Sequence, residues 1–567
     1  MLDVENLVQQ HCPKAVENKP LIARPLTKVL RLLFHEKDFK QFEQDYAHLE
    51  GFDFVEQCLA HFGFSYRVRD NERESIPNTG RAVIIANHPI GSLDGLALLK
   101  MVREIRPDVK VLANDLLASI KPLQSLLLTN PCNREQMNEA RQQLENEGAL
   151  IVFPADNVSS PSIKGVRDKK WNSTFLRLAS STKSPVLPVY VDGRNSAFFY
   201  ALSFMARPVS TLWRVREMFR HASSCIDIRI GAPISYDSYQ QVAVPMRGKV
   251  RLFKHHLYRI GKGKRGVFGT EVAVSHPENR ALLKEEIEQC KRLGETSDGK
   301  HIYLYHYRAN SSIMREVGRL REIAFRAVGE GSGSRRDNDL YDQHYMHLLL
   351  WDSIELEIAG AYRFCDARKA LDDMGESSLY SATLFNYRDT MKPYFERGLE
   401  LGRSFVQPKY WGKRSLEYLW YGIGAFLREN PEYRYLFGPV TLSDTYSQHA
   451  KDMIVHFYSN HFPARQNLVD CTLPYTIAAD RKVQLQQQFP GKDYREEFAA
   501  LKSQLSHMNC SVPTLYKQYT EICESNGVQF AGFNIDPDFK NAIDGLIMVD
   551  LTKLKPNRRE RYLGISS

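Results

Sequence analysis

From Arg81 onward, short apolar runs alternate with amphipathic stretches. RAVIIAN, VKVLAND, ALIVFPAD and SPVLPVYVDG have strand length and turn-like borders, whereas GLALLKMVREI and NREQMNEARQQLENEG repeat their apolar positions at helical spacing. Strand–helix alternation of this kind predicts an α/β layer with a partly parallel sheet, here over residues 76–245. Upstream, LTKVLRLLFHEKDFKQFEQDY and FVEQCLAHFGF are helix-periodic with no strand pattern, which predicts a helical lead-in over residues 1–75.

After residue 245 the texture changes. Residues 247–265, RGKVRLFKHHLYRIGKGKR, carry eight Lys or Arg and no acid. They read as part of a solvated basic linker, residues 246–300, although Val250, Leu252, Phe253, Leu257, Tyr258 and Ile260 also suit an anionic lipid surface. HIYLYHY opens a second, strand-rich unit over 301–567. The helix SSIMREVGRLREIAFRAV follows, and then two antiparallel strands within HYMHLLLWDSIELEIAGAYRF.

Composition narrows the class. In 567 residues, 43% hydrophobic and 25% charged, there is ordinary folded-domain content and no run of about 18 apolar residues. The N-terminus lacks the basic, apolar and small-residue regions of a signal peptide, so the expected location is cytoplasmic, peripherally associated with the inner membrane. Nine scattered cysteines without a CxxC pair suggest neither a disulfide framework nor a zinc site. The +9 balance favours an acidic partner, for which nucleic acid, anionic lipid and an acidic carrier protein are the candidates.

IIANHPIGSLDG places Asn87, His88, Gly91, Asp94 and Gly95 where an apolar strand gives way to a helix, and ligands usually sit at such strand ends. Asp94 is near enough in sequence to orient His88 as a general base for an incoming hydroxyl. The same spacing also suits a capping histidine and aspartate at a turn. The segment resembles the first motif of the glycerolipid acyltransferases, specifically their hemolysin-like branch. The common motif has four residues between His and Asp; here there are five, a spacing that branch tolerates. The resemblance continues through LLTNPCNR, IVFPADNVSSPS and SPVLPVYVDGRNSAFFY, covering roughly 75–235. It implies catalytic roles for His88 and Asp94 and substrate-binding roles for Asn87, Arg134, Ser159 and Arg194. Ala155, Asp156 and Asn157 stand where many relatives have Glu and Gly, which argues against a glycerol-phosphate acceptor.

In the C-terminal half, Arg321, Phe325, Asp337, Asp339, Asp342 and Arg363 precede GLELGRSFVQPKYWGKRSLEYLW. A strand carrying Glu400 and Arg403, then a basic turn with Lys409, Lys413 and Arg414, then a helix, can bind the phosphate of a pantetheine arm; a solvated edge strand has the same pattern. Regular alternation puts Glu400 and Arg403 on opposite faces unless a bulge intervenes, for which Gly402 is suited. The preferred arrangement has Glu400 facing the acceptor amine and Arg403 pairing with Asp337, Asp339 or Asp342. GEGSGSRR follows a helix rather than a strand, so it reads as a mobile cover over the acyl site, not a dinucleotide loop. The stretch resembles the acyl-homoserine-lactone synthases within the N-acyltransferase (GNAT) superfamily and, more closely, the lyso-ornithine-lipid synthases, through GSGSRRDNDLYDQHYMHLLLWD and GFNIDPDFKNAIDGLIMVDL.

Taken together, the chain resembles the bifunctional ornithine-lipid synthases of bacteria. The resemblance implies an α/β glycerolipid-acyltransferase-like domain followed by a GNAT-like α+β domain. It implies N-acylation of ornithine, or another amino acid, with a 3-hydroxyacyl group by the C-terminal half. The N-terminal half would then O-acylate the new hydroxyl. The donor would be an acyl carrier protein thioester, with acyl-CoA as the other choice; no metal, nucleotide cofactor or nucleic acid has a role. The rival readings are a lysophospholipid acyltransferase with a regulatory C-terminal half and a membrane-binding, hemolysin-like protein, for which SAFFYALSFMARPVSTLW would lie shallowly in a bilayer.

Overall fold

The structure, a computed structural model, describes residues 36–91, 93–113, 120–129, 134–155, 159–162, 165–196, 216–217 and 219–564. Asp156, Asn157, the side chain of Arg134 and the apolar stretch from residue 197 to 213 lie outside the described residues. The chain divides into two compact units, Met1–His276 and Pro277–Ser567.

In the first unit, β1 (Ser65–Arg67), β2 (Ala82–Ala86), β3 (Lys110–Ala113), β4 (Leu127–Thr129), β5 (Ala149–Val152), β8 (Val186–Asp192) and β9 (Cys225–Ile230) form one sheet in the order β1-β9-β8-β2-β5-β3-β4. A small hairpin, β6 (Ser160–Ser162) and β7 (Gly165–Arg167), stands apart from it. Every pairing in the large sheet is parallel except β8 with β9. Because β2 and β5 are buried on both faces, they read as unbroken apolar runs. Ile84, Ile151 and Leu187 pack with helices Gly51–His61 and Leu93–Arg103, while Val83, Leu150 and Val186 pack into the opposite layer, which includes helix Thr174–Thr182.

Two expectations need correction. The lead-in contributes a strand, β1, which pairs parallel with β9; three residues are too few to show alternation, and the partner lies far along the chain. The basic run is not linker: Met246–Ile260 is a helix whose Val250, Phe253 and Leu257, spaced three and four apart, are buried in the first unit's core. Five of the eight cations, from Arg247 to Arg259, sit on that helix, and Lys262, Lys264 and Arg265 follow it. The units part at 276/277, and helix Arg280–Glu288 and β10 (Lys291–Glu295) already belong to the second.

The second unit holds an eight-stranded sheet of β10, β11 (His301–His306), β12 (Met346–Asp352), β13 (Glu357–Asp366), β15 (Gly398–Val406), β16 (Tyr435–Leu442), β18 (Val528–Asp536) and β19 (Ala542–Asp550), in the order β10-β11-β12-β13-β15-β16-β19-β18. A separate pair, β14 (Phe385–Tyr387) and β17 (Val469–Cys471), lies outside it. Helices Ser312–Ala327 and Ser415–Glu429 pack on opposite faces: Leu348 and Leu350 of β12 join the core of the latter, Leu349 and Trp351 that of the former.

Only β15 and β16 run parallel in this sheet. They stay paired only from Gly398–Tyr435 to Glu400–Phe437. Beyond that point β16 remains paired with β19, whereas β15 stays with β13, so a gap opens inside the sheet. Among the described residues no helix is long and apolar enough to cross a membrane.

Candidate active sites

His88 follows the C-terminal end of β2, and Asp94 lies in the first turn of helix Leu93–Arg103. His88 Nδ1 is 3.2 Å from Asp94 Oδ2, and the imidazole, 16% exposed, leans on Phe153 with ring centroids 4.5 Å apart. Asp94 is fully buried and accepts N–H bonds from Ile90 (2.9 Å), Gly91 (3.1 Å) and Gly95 (3.0 Å). Burial alone raises its pKa, but the facing His88 and the donated hydrogen bonds outweigh that and hold it below the usual carboxylate range. An ionised Asp94 keeps the His88 proton on Nδ1 and leaves Nε2 as the base.

The other N-terminal candidates divide. Asn87 is buried, with its amide committed to the backbone of Val191: it donates to the carbonyl and accepts from the N–H, both at 2.8 Å. Ser159 is buried too; its hydroxyl donates to Asp168, which also accepts from Trp171 Nε1 at 2.7 Å, and its N–H donates to the His88 carbonyl at 3.2 Å. These two brace the His88 segment: the Ser159 hydroxyl, expected at the substrate, is committed to Asp168, while Asn87 keeps a place on a cavity wall. Arg194 is exposed and lines a cavity of about 140 Å³ together with Asn87, Arg167, Tyr190, Asp192 and Lys262.

In the second unit, the expected residues converge on one buried network. Arg321 donates to both oxygens of Asp342 at 2.8 and 3.0 Å, and Arg363 donates to Asp342 at 2.9 Å and to Asp339 at 2.5 Å. The guanidinium of Arg363 is enclosed by the rings of Tyr341, Tyr345 and Tyr380, 5.0 to 5.8 Å away. Two cations hold Asp342 far below its ordinary pKa against the cost of burial. Arg403 Nε is 3.7 Å from Asp337 and its Nη2 is 3.5 Å from Asp339, pairings of the kind the sequence suggested.

The strand geometry is the bulged one. Arg363 faces Gly402 and Ala361 faces Phe405, so Arg403 and Ser404 together oppose Tyr362. The left-handed residue is Arg403 itself, at φ 48°, not Gly402. The bulge lets Arg403 and Glu400 reach the same segment: Arg403 lies 4.9 Å from the Tyr380 ring centroid, and Glu400 accepts from the Tyr380 N–H at 3.0 Å.

Glu400 is where the expectation fails. Its carboxylate, 1% exposed, accepts from Tyr345 Oη, Tyr380 N, Ser381 N and Ser381 Oγ, so it anchors the 380–381 turn and is not on the wall of the cavity between β15 and β16. The loop 329–336, expected as a mobile cover, is tied down by buried Glu322, which accepts from Ser332 N (3.1 Å) and Gly333 N (2.9 Å). Of the expected carrier-binding cations, Lys409 pairs with Glu357 and Arg414 with Glu417, while Lys413 lies 5.2 Å from the Tyr410 ring centroid.

The gap between β15 and β16 holds a cavity of about 110 Å³, room for a group of atoms rather than one water. Phe325, Tyr380, Gly402, Arg403 and Ser404 form one part of its wall, Pro439 and Thr441 another, and Glu330, Phe539 and Asp544 lie among the others. Phe325, expected to bind substrate, lines this cavity. Glu330 and Asp544 were missed; the available signal was one aspartate interrupting the apolar strand AIDGLIMVD, because a buried charge needs a reason. Among the described residues no cluster of His, Cys, Asp or Glu is arranged to hold a metal ion.

Comparison with known proteins matches the two halves separately. Residues 13–264 match the family described as Acyltransferase, and residues 320–421 match the acetyltransferase (GNAT) domain family. A glycine N(alpha)-acyltransferase of Phocaeicola vulgatus is 31% identical over 300 residues, 51% of this chain and 91% of that protein. A lyso-glycine lipid O-acyltransferase of the same species is 25% identical over 256 residues, 43% of this chain and 90% of that protein. An L-ornithine N(alpha)-acyltransferase of Brucella abortus is 34% identical over 125 residues, 19% of this chain and 43% of that protein.

Proposed function

Because the chain belongs to the family of the glycine N(alpha)-acyltransferases and joins to that half an O-acyltransferase-like half, we propose that this bifunctional acyltransferase makes a doubly acylated amino-acid lipid. The second unit transfers a 3-hydroxyacyl group from a carrier thioester to the α-amine of an amino acid, and the first unit esterifies the resulting 3-hydroxyl. The observation that carries this reading is the His88–Asp94 pair at 3.2 Å in a chain that also has a cavity opening between two diverging parallel strands.

In the O-acylation step, His88 Nε2 takes the proton of the lyso-lipid hydroxyl as its oxygen attacks the thioester carbonyl. Asp94 holds the other nitrogen protonated and stabilises the imidazolium. Collapse of the tetrahedral intermediate expels the carrier sulfur, to which His88 returns the proton. The chemistry calls for no metal or redox cofactor.

Ornithine is the acceptor implied by the sequence motifs. Glycine is the second reading, favoured because the glycine N(alpha)-acyltransferase match spans 91% of that relative whereas the ornithine match spans 43%. The acyl donor is read as acyl carrier protein, whose acidic surface suits the +9 balance, with acyl-CoA as the alternative. Work at the cytoplasmic face of the inner membrane fits the exposed cations of helix Met246–Ile260.

The test is mass spectrometry of products made by the purified full chain from 3-hydroxyacyl carrier protein and either amino acid. Formation of the N-acyl amino acid, then of its O-acyl ester once a second acyl carrier is added, is expected. Transfer to lysophosphatidic acid alone would overturn the reading.

A further inference from the structure

An amino acid arrives as an ammonium ion, and two protons leave its nitrogen on the way to an amide. N-acylation therefore needs a proton acceptor beside the thioester. Glu400 is consumed by four hydrogen bonds outside the cavity. Asp544, by contrast, lies on the cavity wall, 2% exposed, on β19 directly across from Thr441 of β16, whose hydroxyl donates to one carboxylate oxygen at 2.6 Å. The ionisable groups around it are Arg403 from β15, Asp536 from β18, Glu330 from the turn after helix Ser312–Ala327, and Tyr380 and Tyr516. Arg403 is itself held between the rings of Tyr380 and Phe539, at 4.9 and 4.7 Å, so a fixed cation and two acids share one small space.

We propose that Asp544 is the general base of the N-acylation site, with Arg403 holding the amino acid's carboxylate and Glu330 relaying the second proton. The inference rests on reading this cavity as the N-acylation site. Asp544 takes one proton from the ammonium, and the freed nitrogen lone pair attacks the thioester carbonyl, forming the C–N bond. Collapse of the adduct breaks the C–S bond and the sulfur leaves with the electron pair. The second nitrogen proton passes through Glu330 to that sulfur, giving amide and carrier thiol, and Asp544 then returns its proton to water.

Burial pushes the carboxyls of both Asp544 and Glu330 up to about 7, with Asp536 adding to the first and Asp544 to the second. A base in that range accepts and releases protons near neutrality.

The experiment measures kcat/KM for N-acylation across pH with the full chain, 3-hydroxyacyl carrier protein and glycine or ornithine, and O-acylation of supplied lyso-lipid in parallel. The wild type should show a limb that rises with pH and levels off near pH ~7. Asp544→Asn should remove that limb and lower the rate about 10²-fold or more, with O-acylation unchanged. Equal rates and profiles for wild type and Asp544→Asn would overturn the assignment of Asp544. A wild type that acylates no amino acid would instead overturn the reading of the site. Should Asp544→Asn lose both activities, Thr441→Val decides, because loss of the hydroxyl that stabilises ionised Asp544 must move the limb to higher pH; an unmoved limb would overturn the proposal.

Discussion

Asp94 and Asp544 are both carboxylates withdrawn from water, and their surroundings move their pKa values in opposite directions. Asp94 accepts three backbone N–H bonds, sits at a helix N-terminus and faces an imidazole. Those donors keep it ionised despite complete burial. Asp544 has one hydroxyl donor, another carboxylate nearby and an arginine beyond, and burial pushes it up to about 7. Burial raises the pKa at both sites, and the sign turns at Asp94 because an imidazole faces it alongside the backbone donors. A residue that orients a histidine must stay charged; one that collects a substrate proton must be able to hold it.

The comparison breaks most visibly at Asp94. Asp94→Asn removes the acceptor that fixes the His88 tautomer, and O-acylation should fall by roughly 10³-fold with N-acylation intact. Acid stability should change with it. The folded-state pKa of Asp94 is depressed, so its contribution is present above the unfolded value near ~3.9 and is lost as pH falls through the folded value. The asparagine variant should lack that pH-dependent loss, as acid unfolding monitored by circular dichroism would report.

Glu400 sharpens the contrast from the other side, because it has four donors and yet stands above its ordinary pKa through complete burial. Glu400→Gln swaps an acceptor for a group that must donate towards Ser381 or Tyr345, leaving a buried donor unpaired at a cost of about 1–3 kcal/mol. Thermal unfolding should register that loss, while N-acylation per folded molecule falls by less than in Asp544→Asn. The smallest effect per residue is expected on the basic helix. Replacing Arg247 and Arg251 by glutamine should weaken binding to anionic vesicles by at most about 1 kcal/mol each, and rising salt should mimic the loss. Sedimentation with vesicles across a salt series measures it; salt-independent binding would remove the helix from membrane attachment.

The two sites also differ in how far the chain alone reveals them. His88 and Asp94 are joined by one turn, and β2 is apolar on both faces, so strand, turn and site all fall within a single stretch. Arg321, Asp339, Asp342, Arg363 and Arg403 announce themselves as an ordered set of charges, although the left-handed bulge at Arg403 is set by pairing with β13 and leaves no local mark. Phe325, Arg403, Thr441 and Asp544 meet only because β15 and β16 diverge, a property of the sheet and not of any segment. The short β1 and the charged β10, KRLGE, are edge strands specified by their neighbours. In Met246–Ile260 the abundance of cations hides an apolar stripe that was readable at Val250, Phe253 and Leu257.

That two independent acyl transfers run in series, each confined to one unit, is tested most directly with His88→Ala. Lipids of cells expressing this variant would be compared by mass spectrometry with those of cells expressing the wild type. The account predicts that the mono-acylated amino-acid lipid accumulates and the doubly acylated product disappears. Doubly acylated lipid at wild-type abundance in the His88→Ala cells would contradict it.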